Sequence, residues 1–330
     1  MSARSIAAAI LFLVCLVALP VMAADPLIVE VDTSKLNRHL ISSKITIPVE
    51  PGEQAFWYPK WIPGIHGPGE QIRNMGGLKI TSSAGRLDWM RDPNELYRFL
   101  VQVPEGVDSI VAELTYIASQ PTRVSRGVDS YGNNSLFAIN FNTCLIYPEA
   151  SKARSTPVKV SVQIPEGWGY GSSLREESSS DDWKHFEVES LERVVDSPLI
   201  AGKHYRRLEV DLEDFPPVIY HIVSENPDAL LFDDEQVERY RRLVAESAHL
   251  FGGAPFDRYD FLVICSDDVP RLGLEHLSSS FNSIDEQSLV DEAELTGWAA
   301  GLLPHELVHA WCGKYRRPAG MYRNNFHDGK

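Results

Sequence analysis

Near the end of the chain, His305-Glu306-Leu307-Val308-His309 sets two imidazoles four positions apart, with a carboxylate beside the first. In a helix that spacing turns the second side chain only about 40° from the first, so both ring nitrogens can reach one ion. Zinc suits such a pair, because it accepts imidazole readily and in catalytic sites keeps one position open to water. Glu306 is then placed to take a proton from that water as general base and to hand it to a leaving amine. His305 and His309 are therefore the candidate metal ligands, and Glu306 the candidate catalytic residue.

This chemistry needs a helix, and the surrounding residues predict one. Leu295, Trp298, Ala299, Leu302 and Leu303 recur at i, i+3, i+4, i+7 and i+8, and Leu307 and Ala310 continue the stripe as one buried face. His305 falls about 60° around the helix from Leu302, at the stripe's edge, where a ligand can be half in the core and half at a cleft. Pro304 cannot donate to the carbonyl four residues back, which predicts a kink or restart just before the ligands. Upstream, Asp233 and Asp234 read as the cap of a helix whose apolar face is Val237, Tyr240, Val244, Ala248 and Phe251, stopped at Gly252-Gly253. A strand over residues 261 to 265 follows, then a loop holding Gly273-Leu274-Glu275-His276. Strand, loop and zinc helix in that order fit the first part of a thermolysin-like zinc peptidase domain, in which an edge strand borders the substrate cleft.

The chain before this region has a different period. Ile45, Ile47 and Val49 alternate with polar neighbours, as do Tyr97, Phe99, Val101 and Val103, and Val158, Val160, Val162 and Ile164. Turn formers such as Pro51-Gly52, Pro104-Glu105-Gly106 and Pro165-Glu166-Gly167 separate the runs. Many strands without intervening helices predict an antiparallel β-sandwich. The fold class is thus mixed β and α+β, with a sandwich over residues 25–215 and a partial catalytic domain over residues 216–330. Trp57, Tyr58 and Trp61 are expected to pack beneath a loop.

Residues 1–24 read as a secretory signal: Arg4, an apolar run from residue 6 to 19, and a small-residue exit at Ala23-Ala24. Export to the periplasm or the exterior is expected, with no stable membrane insertion after cleavage. Of the cysteines that remain, Cys144, Cys265 and Cys312, none has the spacing of a metal pair or a disulfide framework. Cys265 ends an apolar run and reads as a small buried hydrophobe. A formal charge of -15 makes nucleic acid an improbable partner.

Residues 304 to 311, running on through Gly313-Lys314-Tyr315-Arg316-Arg317-Pro318, resemble the zinc motif of the M61 glycyl aminopeptidase family. Gly252-Gly253-Ala254-Pro255-Phe256-Asp257-Arg258-Tyr259 resembles that family's F-G-G-x-P-F-D-R-Y, and Gly273-Leu274-Glu275-His276 its G-L-E-H. In the sandwich region, Trp61-Ile62-Pro63-Gly64 with Ile72-Arg73, and Asp196-Ser197-Pro198, resemble further family segments. The resemblance implies a gluzincin zinc aminopeptidase acting on peptides with a free N-terminus, glycine in the characterised type. It also implies zinc on His305 and His309, Glu306 as base and acid, and Glu275 holding the substrate's amine. A carboxylate facing the cleft can indeed pair with an ammonium group.

The family's third ligand, a glutamate in a W-x-x-E-G context, is missing from the sequence. Asp328 is the one carboxylate after His309, 19 positions on, and is a weak substitute. The expectation is a C-terminally truncated member whose missing part holds the third ligand, so that activity of the 330 residues by themselves is in question. Two other readings stand beside the aminopeptidase. One is a zinc endopeptidase without an amine anchor; the other is an exported, non-catalytic peptide-binding module with a relict zinc site.

Overall fold

Alternation in the first two hundred residues becomes a set of β-sheets with one buried face each. Leu40–Pro48 buries Ile41, Ser43, Ile45 and Ile47, and pairs antiparallel with Ser109–Ile117, which buries Ile110, Ala112, Leu114 and Tyr116. Directly opposed pairs such as Ile45 with Ala112 therefore point into the same core. The structure, a computed structural model, describes residues 25–119, 127–291, 293 and 297–329. The expected signal segment and Leu295 lie outside the described residues.

Among the described residues the β region comprises a nine-stranded sheet and two four-stranded sheets. Its pairing is not wholly antiparallel. Leu27–Asp32 runs parallel to Pro157–Gln163, with Val29 beside Val160 and Val31 beside Val162. Apolar residues on both strands decide which face each buries, but either direction of pairing satisfies that demand.

A separate five-stranded sheet carries the motif region, in the order His204–Leu212, Phe215–Ser224, Tyr259–Cys265, Ser279–Ile284, Leu272–Glu275. Its first strand begins ahead of residue 216, where a second domain was expected to start. Phe215–Ser224 and Tyr259–Cys265 are parallel, so a crossover must join them. That crossover is the helix Asp234–Phe251. Asp233 caps it by accepting from the Gln236 backbone N–H, and Gly252 ends it in the left-handed region at φ 69°. Here start, stop and apolar face agree with the sequence reading.

Both faces of this sheet are covered. Leu262, Ile264, Leu274 and Phe281 join the core of the β region, while Phe261, Val263 and Cys265 pack on the other side with Tyr240, Val244, Leu302, Leu303 and Leu307. Tyr259–Cys265 is buried at every position, as a strand clad on two sides must be.

The motif helix spans Trp298–His309 and runs through Pro304 without a break. The proline removes only the bond to the Ala300 carbonyl, and Ala300 is exposed, where solvent can take the lost partner's place. The expected stripe is partly corrected: Leu302, Leu303, Leu307 and Ala310 are buried, but Trp298 is 46% exposed. Cys144 and Cys265 are buried free thiols and Cys312 is an exposed one. Trp57 and Tyr58 are buried, and Trp57 packs beneath the C-terminal segment, stacking on His327 with ring centroids 4.5 Å apart. Among the described residues no helix is long and apolar enough to cross a membrane.

Candidate active site

The motif helix sends His305 and His309 to one side, one turn apart. Their Nε2 atoms lie 3.2 Å from each other, with the rings nearly perpendicular at 80°. The Nδ1 of His309 meets the Cys312 carbonyl oxygen at 3.1 Å. A carbonyl can only accept, so Nδ1 carries the proton and Nε2 keeps a bare lone pair, the tautomer a metal requires. This contact exists because the helix fails just after His309. Cys312 and Gly313 leave helical geometry, Gly313 at φ +132°, and fold the chain back over the ring. A residue with a Cβ at position 313 would be strained in that conformation.

Glu306 is the buried member of the same cluster. It is 4% exposed and lies against the backbone of Gly273 on the edge strand Leu272–Glu275. Any Cβ at position 273 would collide with the carboxylate and crowd Leu302. The glycine is thus what lets helix and edge strand approach closely enough for the Glu306 carboxylate and the strand to meet. Burial, reinforced by the nearby Glu275 carboxylate, pushes the Glu306 carboxyl up to about 7. The Tyr259 hydroxyl donates to the Glu306 backbone carbonyl at 3.2 Å, tying the helix to the central strand. Trp311 fixes the far end by donating from Nε1 to the Gly253 carbonyl at 2.8 Å and stacking on Phe251.

Among the described residues the edge strand pairs on one side only, antiparallel to Ser279–Ile284. A strand at a sheet edge has the geometry to pair with an extended peptide. Glu275 ends this strand, close enough to Glu306 to influence its ionisation. Gly64, at φ +85°, brings the 61–64 loop of the β region against Leu274, so that region forms one wall beside the strand.

His305, Glu306 and His309 hold donor atoms within 4.8 Å of one another, the one such cluster among the described residues. Two converging imidazoles, one with its outer nitrogen already satisfied, fit two positions of a zinc site. Asp328 does not join them. Phe326 is buried in the β region and its carbonyl accepts from the backbone N–H of Lys60 and Trp61. That anchor leaves the Asp328 carboxylate on the Asn325 side-chain amide, at 2.8 Å.

Sequence reasoning gave no role to the residues that brace this cleft. Asp196, from the β region, is buried and accepts from His276 Nδ1 at 2.9 Å, the Leu277 backbone N–H at 3.0 Å and Lys314 Nζ at 2.9 Å. The signal was present only as the family-like segment Asp196-Ser197-Pro198, with nothing local to pair the carboxylate. Burial alone would raise this carboxyl, but Lys314 and His276 outweigh it and hold Asp196 well below the ordinary carboxylate range. A depressed folded-state value means stability that is fully present above the unfolded value, about 3.9, and is lost as pH falls below it. The urea midpoint is therefore expected to drop between pH 6 and pH 3, and to drop less in the double variant Asp196→Asn/Lys314→Met. Equal slopes in both proteins would remove Asp196 as a source of the acid sensitivity.

Residues 28–203 match the Peptidase M61 N-terminal domain, and residues 298–330 match M61 glycyl aminopeptidase. Among solved structures, the fold is similar to that of an aminopeptidase N family protein from Idiomarina loihiensis, with a TM-score of 0.78 at 17% sequence identity. That similarity covers 92% of this chain and 50% of the other, so the chain spans half the length of that structure. Comparison with curated proteins gives no match.

Proposed function

This chain belongs to the M61 peptidase family, and from that premise we propose that it provides the metal-binding half-site of an exported zinc aminopeptidase. The observation that carries the proposal is the facing pair of imidazole Nε2 atoms beside a buried glutamate that touches an edge strand. His305 and His309 would hold the ion, which when bound supplies Lewis acidity and lowers the pKa of water.

The rest is work for the chain's own side chains. Glu306, with its carboxyl raised toward neutrality, accepts a proton from the attacking water and returns it to the departing amine. The free edge of Leu272–Glu275 aligns the peptide backbone, and the Gly273 contact keeps the base beside it. Glu275, at the end of that strand, pairs with the substrate's ammonium group and so selects the first residue of a chain. Glycine is among the residues released, as the family description suggests. Export rests on the character of residues 1–24, and the acidic balance of the chain disfavours nucleic acid as a partner.

The proposal is tested by supplying the zinc-loaded full-length protein with one peptide in free and N-acetylated form. The free peptide is expected to be cleaved at least about 10²-fold faster, because the acetyl group removes the ammonium that pairs with the Glu275 carboxylate. Equal rates would point to an endopeptidase, and cleavage of neither peptide to a binding module.

A further inference from the structure

We propose that Asp196 is the positioning residue of this cleft: one buried carboxylate from the β region that sets both the edge-strand hairpin and the turn behind the zinc helix. The inference rests on the aminopeptidase reading and adds to it the means by which the N-terminal region takes part in the reaction.

Three donors reach Asp196, and they arrive from two separate parts of the site. His276 Nδ1 and the Leu277 backbone N–H belong to the turn that joins Leu272–Glu275 to Ser279–Ile284. That turn follows Glu275 directly, and His276 closes it by donating its backbone N–H to the Ser279 carbonyl at 2.9 Å. Moving it would move both the amine anchor and the Gly273 backbone on which Glu306 rests. Lys314 Nζ comes from the segment that leaves helical geometry after His309, two residues beyond the Cys312 carbonyl that sets the His309 tautomer. Moving that segment would release the imidazole.

Mere fold maintenance would not need this arrangement. Lys314 and Asp196 are 8% and 4% exposed, so this charged pair carries a desolvation cost that apolar side chains would not. What the charges provide is direction. Asp196 ends the short helix Leu191–Val195, where its backbone N–H donates to the Glu192 carbonyl at 3.0 Å, so the carboxylate's own position is set by the β region. Glu192 on the same helix pairs with Arg317 at 2.8 Å and holds the same turn a second time. Two carboxylates of one short helix thus grip the segment behind the zinc ligands, and one of them also grips the hairpin.

The two arms are separable by experiment on the full-length protein. Lys314→Met cuts the turn arm and is expected to weaken zinc binding about tenfold, read by competition with a chromophoric chelator, with KM for a free-amine tripeptide unchanged. His276→Leu cuts the hairpin arm and is expected to raise that KM about tenfold with zinc affinity unchanged. His276→Asn, whose side-chain N–H can stand where Nδ1–H does, should restore KM. A residue that only stabilises the fold would lower the melting temperature in all three without this split or rescue. Zinc affinity and KM within twofold of wild type in both Lys314→Met and His276→Leu would overturn the proposal. Wild-type protein that takes up no zinc would instead overturn the aminopeptidase reading, and this inference with it.

Discussion

Glu306→Gln is expected to lower kcat about 10²- to 10⁴-fold in the full-length protein while stoichiometric zinc is retained, as metal analysis after dialysis would show. The size follows from the loss of general-base and general-acid assistance, which an amide cannot give at any pH. Retention of metal follows from geometry, because the two Nε2 atoms converge without help from position 306. Glutamine has the shape of glutamate and can occupy the same space against Gly273. It also removes a buried carboxylate whose ionised form burial and Glu275 disfavour, so thermal stability should not fall. Turnover within tenfold of wild type would mean that the proton is handled elsewhere.

Gly273→Ala should have nearly as large an effect on rate from a single methyl group. The added Cβ meets the Glu306 carboxylate and Leu302, and the carboxylate, at the end of a flexible side chain, gives way first. Displacing a catalytic group by about 1 Å can cost on the order of 10²-fold, whereas overpacking at one methyl costs roughly 1–3 kcal/mol. The expected signature is therefore a fall in kcat about 10²-fold in a protein that remains folded at assay temperature. Full activity in Gly273→Ala would show that helix and edge strand can separate without consequence.

What the sequence revealed and what it hid divide along a physical line. Local features were legible. The helix Asp234–Phe251 is written in its cap, its period and its terminal glycine, all within one stretch. The ligand pair is likewise four residues apart, and the helix that carries it was predicted from its own period. Features that depend on distant partners were not. The parallel pairing of Leu27–Asp32 with Pro157–Gln163 sets Leu27 beside Val158, far along the chain, and alternation says which face a strand buries but not who lies beside it. The brace at Asp196 is more extreme, since its partners His276 and Lys314 stand 80 and 118 positions away. Trp298 was assigned to the buried stripe by period alone; it sits at the first turn of the helix, where no neighbouring element covers it as fully as Leu302 and Leu303 are covered.

The five-stranded sheet belongs to two cores at once, and this bears on how such a chain could be cut, borrowed or inherited. Leu262, Ile264, Leu274 and Phe281 present an oily surface that, among the described residues, is buried in the core of the β region. Scissors applied between the two family segments would yield a pair of sticky remnants, each missing half of a shared interior. Lineages that shuffle modules would have to pass both on together, and a bioengineer trimming this chain must keep the sandwich for the sheet to stay covered.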